Sequence, residues 1–192
     1  FKSVDGGANW SKVLYVNNLT GCAELSMDFN NPLVMYAAMW EHQRLPWKVV
    51  SGGPGSGLYK TTDGGISWNK IHEGLPKEKG KMAIAVSRSN SKKVYALIES
   101  DSDKELGGLF VSNNAGKKWS KISSDHSLIQ RAWYYIELFI DPTDEEKLYV
   151  LNASAQRSID GGKTWSRITG THGDYHDLWI NPTNYKNMII AN

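Results

Sequence analysis

The stretch HGDYHD holds His172, Asp174, His176 and Asp177, two imidazoles and two carboxylates within six residues. Side chains of these types can ligate a divalent metal, work as general acid and base, or hydrogen-bond a polar ligand. A zinc site would need a third or fourth ligand from elsewhere. None is identifiable in the sequence, so neither a metal nor another cofactor is expected. Arg131, Trp133, Tyr134 and Tyr135, in IQRAWYY, join a fixed positive charge to three aromatic rings. Trp40, Glu41, His42, Arg44 and Trp47 open a long segment, 40–57, that ends in SGGPGSG. Guanidinium groups fork onto carboxylates and aromatic faces stack on apolar ligand faces, which suits recognition of a sugar or an anion. Packing is the competing reading for each segment: tryptophans of a long loop can lie on neighbouring sheets, and alternate residues of an extended strand must point inward.

The elements that would position these residues follow from a repeat. The patterns SVDGGANW (3–10), TTDGGISW (61–68), SNNAGKKW (112–119) and SIDGGKTW (158–165) place Asp5, Asp63, Asn114 and Asp160 at intervals of 58, 51 and 46 residues. A period of this length means a repeated supersecondary unit. Upstream of each of the last three patterns lie a short apolar strand, a Pro or Asn turn and a second β-type run, as in AELSMDF then NNPLVMYAAMW, and YYIELFI then DPTDEEKLYVLNAS. The order strand, turn, strand, loop, strand, Gly turn, strand recurs with no amphipathic helical period. It predicts an all-β fold, a β-propeller of four-stranded antiparallel blades, because radial repetition protects sheet faces and shortens free edges.

Within each pattern Asp accepts bonds from nearby backbone N–H groups, and glycine takes positive φ at little cost. The Ser or Thr two residues ahead of Asp adds a local hydrogen bond, and the Trp fastens the turn by its apolar area. A calcium loop would need further oxygen ligands and a distal Glu, which are missing. Asn114 in the third copy suits a hydrogen-bonded turn better than a charged ligand site. The patterns are therefore structural.

SxDGGxxW between two strands resembles the Asp-box, or BNR repeat, of sialidases, sortilin-like receptors and xyloglucanase-type glycoside hydrolases. The order of SGGPGSGLYKTTDGGISW, QRAWYY and HGDYHDLWINP is similar to bacterial sortilin-like propellers of glycosyl hydrolase type, across essentially the whole chain. The resemblance implies boxes on outer strands away from the functional face, a carbohydrate or peptide ligand, and an extracellular or periplasmic setting. Propellers of this kind commonly have six or more blades, so a chain of about four blade equivalents is expected to be a fragment, or to form a homo-oligomer through open blade edges. The expected divisions are 1–20 (end of one blade), 21–72, 81–122 and 133–168 (blades), and 175–192 (start of the next).

Bulk properties remove other partners. The net charge of +2, from 22 basic and 20 acidic residues without long runs, gives no footprint for nucleic acid. No apolar run is long enough to span a bilayer. The single cysteine, Cys22, is expected to be a small buried thiol.

Two functions remain open. A ligand-binding module would use Arg44, Trp47, Arg131, Trp133, His172 and His176 at the propeller mouth. A glycoside hydrolase would need two carboxylates across a cleft, about 5–5.5 Å apart for retention or about 6.5–9.5 Å for inversion. Asp174, Asp177 and Glu24 are the candidates.

Overall fold

A computed structural model describes residues 1–100 and 105–192; positions 101–104 of the expected 81–122 blade lie outside the described residues. Strands β1 (Thr20–Met27), β2 (Met35–Leu45), β4 (Gly57–Thr61) and β5 (Asn69–Ile71) form the first antiparallel sheet, with β3 (Lys48–Ser51) paired to an extension of β2. The second comprises β6 (Met82–Val86), β7 (Val94–Ile98), β8 (Gly108–Ser112) and β9 (Ser120–Ser123). The third comprises β10 (Glu137–Ile140), β11 (Leu148–Leu151), β12 (Ala155–Ser158) and β13 (Ser166–Arg167). Strands β14 (Asp177–Ile180) and β15 (Met188–Ala191) pair as a fourth, two-stranded sheet. Among the described residues the one helical element is a 3-10 turn, His126–Leu128. The fold is all-β, with the sheets as propeller blades. Side chains of all four first strands, β1, β6, β10 and β14, line one central cleft of about 300 Å³, so these are the inner strands.

The turn between inner and second strand has one chemistry throughout. Backbone N–H groups of Asp28, Ser87, Asp141 and Asn181 donate to the carbonyls of Val34, Lys93, Lys147 and Asn187 at 2.9–3.0 Å. The side chains of Asp28, Asp141 and Asn181 each accept the N–H two residues on, at 2.9 Å. Such Asx turns replace a backbone turn bond by a side-chain one.

The Gly-turn patterns are alike to a tenth or two of an ångström. The hydroxyl of Ser3, Thr61, Ser112 or Ser158 donates to Asp5, Asp63, Asn114 or Asp160 at 2.7–2.9 Å. The same oxygen accepts from the N–H four residues on at 2.8–2.9 Å. Trp10, Trp119 and Trp165 donate their indole N–H to the carbonyls of Gly7, Gly116 and Gly162. Hydrogen bonds from Asn9 and Ser3 hold the Asp5 carboxyl down at about 2. Asp63 and Asp160 are lowered for the same reason, chiefly by Ser67 and Thr164. All three carboxylates are spent on their own turns.

The core lies between blades. Tyr36, Ala38 and Leu58 of the first blade pack against Ile84, Val94, Ala96 and Trp119 of the second. Tyr95, Leu97 and Leu109 of the second pack against Leu138, Leu148, Val150 and Trp165 of the third. Tyr149 and Leu151 of the third meet Tyr175, Leu178 and Ile190. Trp119 and Trp165 thus reach into the interface with the preceding blade, and Tyr36 donates its hydroxyl to the Ala115 carbonyl at 2.9 Å.

One sequence expectation changes. Cys22 is exposed, not buried, because a bulge between Cys22 and Glu24 leaves Ala23 unpaired and turns the strand. Asn152, just after β11, is fully buried and donates to the carbonyls of Ser127 and Leu128.

Ala115 occupies the first glycine position of the third pattern at φ 57°. An L-residue there costs roughly 1–2 kcal/mol, against about 0.4–1 kcal/mol lost when glycine loosens the unfolded chain. Ala115→Gly is therefore expected to stabilise the chain by about 0.5–1 kcal/mol, seen as a rise in Tm of about 1–4 °C. An unchanged or lower Tm would contradict the strain argument.

Candidate functional site

The inner strands carry carboxylates at one register. Ser26, Ala85, Phe139 and Trp179 stand opposite Tyr36, Tyr95, Tyr149 and Ile189. Two residues earlier on each inner strand stand Glu24, Ala83, Glu137 and Asp177. Three of four blades thus present an acid at the same level of the hub, and Glu24 reaches that level in unbroken register with Ser26. Glu24 and Glu137, both half-buried, lie near enough across the hub to act on each other electrostatically. Two carboxyl groups so placed resist double ionisation, because adjacent like charges repel. Burial, then the neighbouring Glu137, pushes Glu24 up to about 9. Glu137 is also raised, by burial first, with Lys81 and His176 opposing and Asp177 reinforcing.

A second cluster lies on the loops entering β10 and β14. Tyr135 donates its hydroxyl to Asp174, which lies 4.0 Å from Arg131 Nη1 and 3.6 Å from His176 Nε2. Asp174 holds φ 71° and is lowered below the usual carboxylate range, first by the Tyr135 bond. Burial and then Asp174 push the Tyr135 phenol up to about 12. The ring of His176 stacks at 4.5 Å from that of Tyr135 and lies edge-on to Tyr134 at 6.5 Å. Lys81, just ahead of β6, donates to the Tyr134 carbonyl at 3.2 Å and sits 5.6 Å from the Trp40 ring. Contacts therefore run from Trp40 on the first blade through Lys81 and Tyr134 to His176 at the fourth.

The structure brings Arg131, Asp174 and His176 together, with Glu24 and Asp177 at the adjoining hub. Trp133 is exposed beside Tyr134, ring centroids 5.9 Å apart. Arg44, Trp47 and His172 are exposed, and among the described residues no hydrogen bond, ion pair or ring contact links them to that group. Segment 40–57 is not a long irregular loop. Strand β2 runs on to Leu45 and pairs with β3 across a two-residue turn that carries Trp47 at its tip, 81% exposed. Nor is 129–135 extended: Tyr134 and Tyr135 both donate N–H to the Arg131 carbonyl. Ala132 and Tyr135 turn inward, leaving Arg131, Trp133 and Tyr134 outside. Glu137 and Lys81 were not among the expected site residues. Aligning AEL (23–25) with IEL (136–138) and HDL (176–178) would have exposed Glu137; Lys81 carries no such signal. Among the described residues, no group of three or more His, Cys, Asp or Glu is arranged to hold a metal ion.

Residues 156–167 match the BNR/Asp-box repeat. No curated protein matches the chain. The chain is similar to the GH74 enzyme of Niastella koreensis at TM-score 0.61 and 17% identity, covering 85% of this chain and 25% of that one. It is similar to the GH74 xyloglucanase of Xanthomonas campestris at TM-score 0.59 and 16% identity, covering 84% and 25%. It is also similar to YCF48 in a structure bound to D1 peptide, at TM-score 0.51 and 14% identity, covering 86% and 46%. The chain spans about a quarter of the length of the two GH74 structures. Likeness at these identities concerns the fold, an Asp-box β-propeller section. No helix among the described residues is long and apolar enough to cross a membrane.

Proposed function

We propose that this section of an Asp-box β-propeller binds a carbohydrate or peptide ligand at the hub mouth, in an extracellular or periplasmic protein. The observation that carries the reading is the cluster of charged and aromatic side chains that the loops entering β10 and β14 gather at the hub, beside Glu24 and Glu137. Beside them, exposed Arg131, Trp133 and Tyr134 offer a guanidinium fork and aromatic faces, with Asp174 and His176 as polar partners. That is a recognition surface. Arg44, Trp47 and His172 belong to the same proposal as outlying contacts.

A glycoside hydrolase is the second reading, favoured by one observation: a carboxyl held protonated to about pH 9, as Glu24 is, can serve as a general acid. Asp174 or Asp177 would then supply the second carboxylate. A glycan and peptide array run beside a hydrolysis screen separates the two. The expected result is binding without product, weakened about tenfold by Arg131→Ala, equivalent to about 1.4 kcal/mol. Product release that disappears in Asp174→Ala or Glu24→Gln would replace the binding reading with the enzymatic one.

A further inference from the structure

A cleft of about 430 Å³ lies between the connection leading from β3 to β4 and the one leading into β6, lined by Ser51, Gly52, Gly53, Lys77, Lys79 and Gly80 among others. Its walls are in close contact. Gly52 has φ 111°, and a Cβ there would stand 2.7 Å from the Lys79 carbonyl oxygen, so only glycine fits. Lys79 is 5% exposed. Its ammonium has one polar contact, the Lys77 carbonyl at 3.4 Å, and among the described residues no carboxylate pairs with it. A buried ammonium is costly unless paired with an opposite charge, and one long carbonyl contact does not neutralise it. Burial, then the nearby Lys70, lowers the Lys79 ammonium, as expected of a cation without its counter-ion. Lys77, exposed on the same lining, adds a second positive charge, and Glu78 stands exposed on the rim.

We propose that this cleft binds a carboxylate or sulfate group carried on a saccharide, with Lys79 as the buried counter-ion and Lys77 as its outer partner. The volume admits one sugar ring. A peptide strand would need free backbone donors along the wall. Here Gly52 N–H is already bonded to the Glu41 carbonyl and Gly80 N–H to the Glu99 carbonyl. The inference concerns a site separate from the Arg131 cluster and extends the proposed ligand class to acidic saccharides.

The test is calorimetric titration of the chain with an oligogalacturonate, a chondroitin sulfate oligosaccharide, a neutral cello-oligosaccharide of equal length and a polyglutamate peptide. The two acidic saccharide arms distinguish carboxylate from sulfate. At least one acidic saccharide is expected to bind ten times more tightly than the neutral one. Inorganic sulfate is expected to compete, and Lys79→Met to cost tenfold or more. Equal affinity for neutral and acidic saccharides, unaltered binding in Lys79→Met, or tighter Lys79-dependent binding of polyglutamate would each overturn the proposal. Should Lys79→Met not fold, Lys77→Met and sulfate competition on the unaltered chain decide, and an absence of both effects overturns it. The Lys79→Met loss is expected in the Arg131→Ala background as well, so failure here and failure of the mouth reading are separable.

Discussion

Raising the pH from 5 to 9 is expected to destabilise the chain, and Glu24→Gln is expected to remove most of that loss. A carboxyl whose folded pKa stands above its unfolded value contributes stability that is complete below the unfolded value, about 4.5, and lost as pH rises through the folded one. Glu24, raised to about 9 by burial and by Glu137, sets that window between about 4.5 and 9. Glu137 is raised in the same direction, so the two carboxyls together resist double ionisation. Lys81 and His176 oppose this and Asp177 reinforces it. Even a shift of two pH units is worth about 2.7 kcal/mol. Glutamine keeps a donor toward Glu137 and cannot ionise. Urea unfolding midpoints at pH 5 and pH 9 measure the effect; parallel slopes for both proteins would show that the pair does not resist double ionisation.

Gly162→Ala is expected to cost about 2–5 kcal/mol, against about 1–2 kcal/mol for Gly6→Ala. Both glycines have positive φ, 90° and 70°, so each substitution carries the left-handed penalty. Only Gly162 adds crowding: its Cβ would overlap Leu109 Cδ2 and stand 3.4 Å from Leu148 Cδ1, within the fully buried interface of the second and third blades. Overpacking a filled core adds about 1–3 kcal/mol. Nothing lies within 4 Å of a Cβ at Gly6. Thermal or urea unfolding of the two variants checks the difference, and equal losses would mean the interface yields at Leu109.

These contrasts show what could be read beforehand. The Gly turns were legible because all their bonds close within eight residues, so Ser158, Asp160, Gly162 and Trp165 declare one another. The blade order followed, as each turn fixes its flanking strands. Glu24 was legible from its place on an inner strand. Its partner Glu137 was not, because their interaction joins the first and third blades across 113 positions of chain, a separation that no local pattern spans. The hairpin at 40–51 was hidden by Pro46 and Trp47, which read as loop residues though they occupy a two-residue turn. Segment 129–135 looked extended by its aromatics, whereas Leu128, Ile129 and Ala132 anchor it as a turn in the interblade core. Lys79 carries no motif, and the approach of Gly52 to its backbone joins segments 27 positions apart in the chain.

The indoles of Trp119 and Trp165, each seated in the core of the blade before their own, have a consequence for how the molecule comes apart. No blade owns its hydrophobic interior, so the smallest cooperative segment is a neighbouring pair, and loss of one blade strips the apolar cover from the next. Stability then grows as a chain of nearest-neighbour couplings. Duplication of a whole repeat keeps every coupling and adds one, whereas deletion of an inner blade, or a cut within it, breaks two at once.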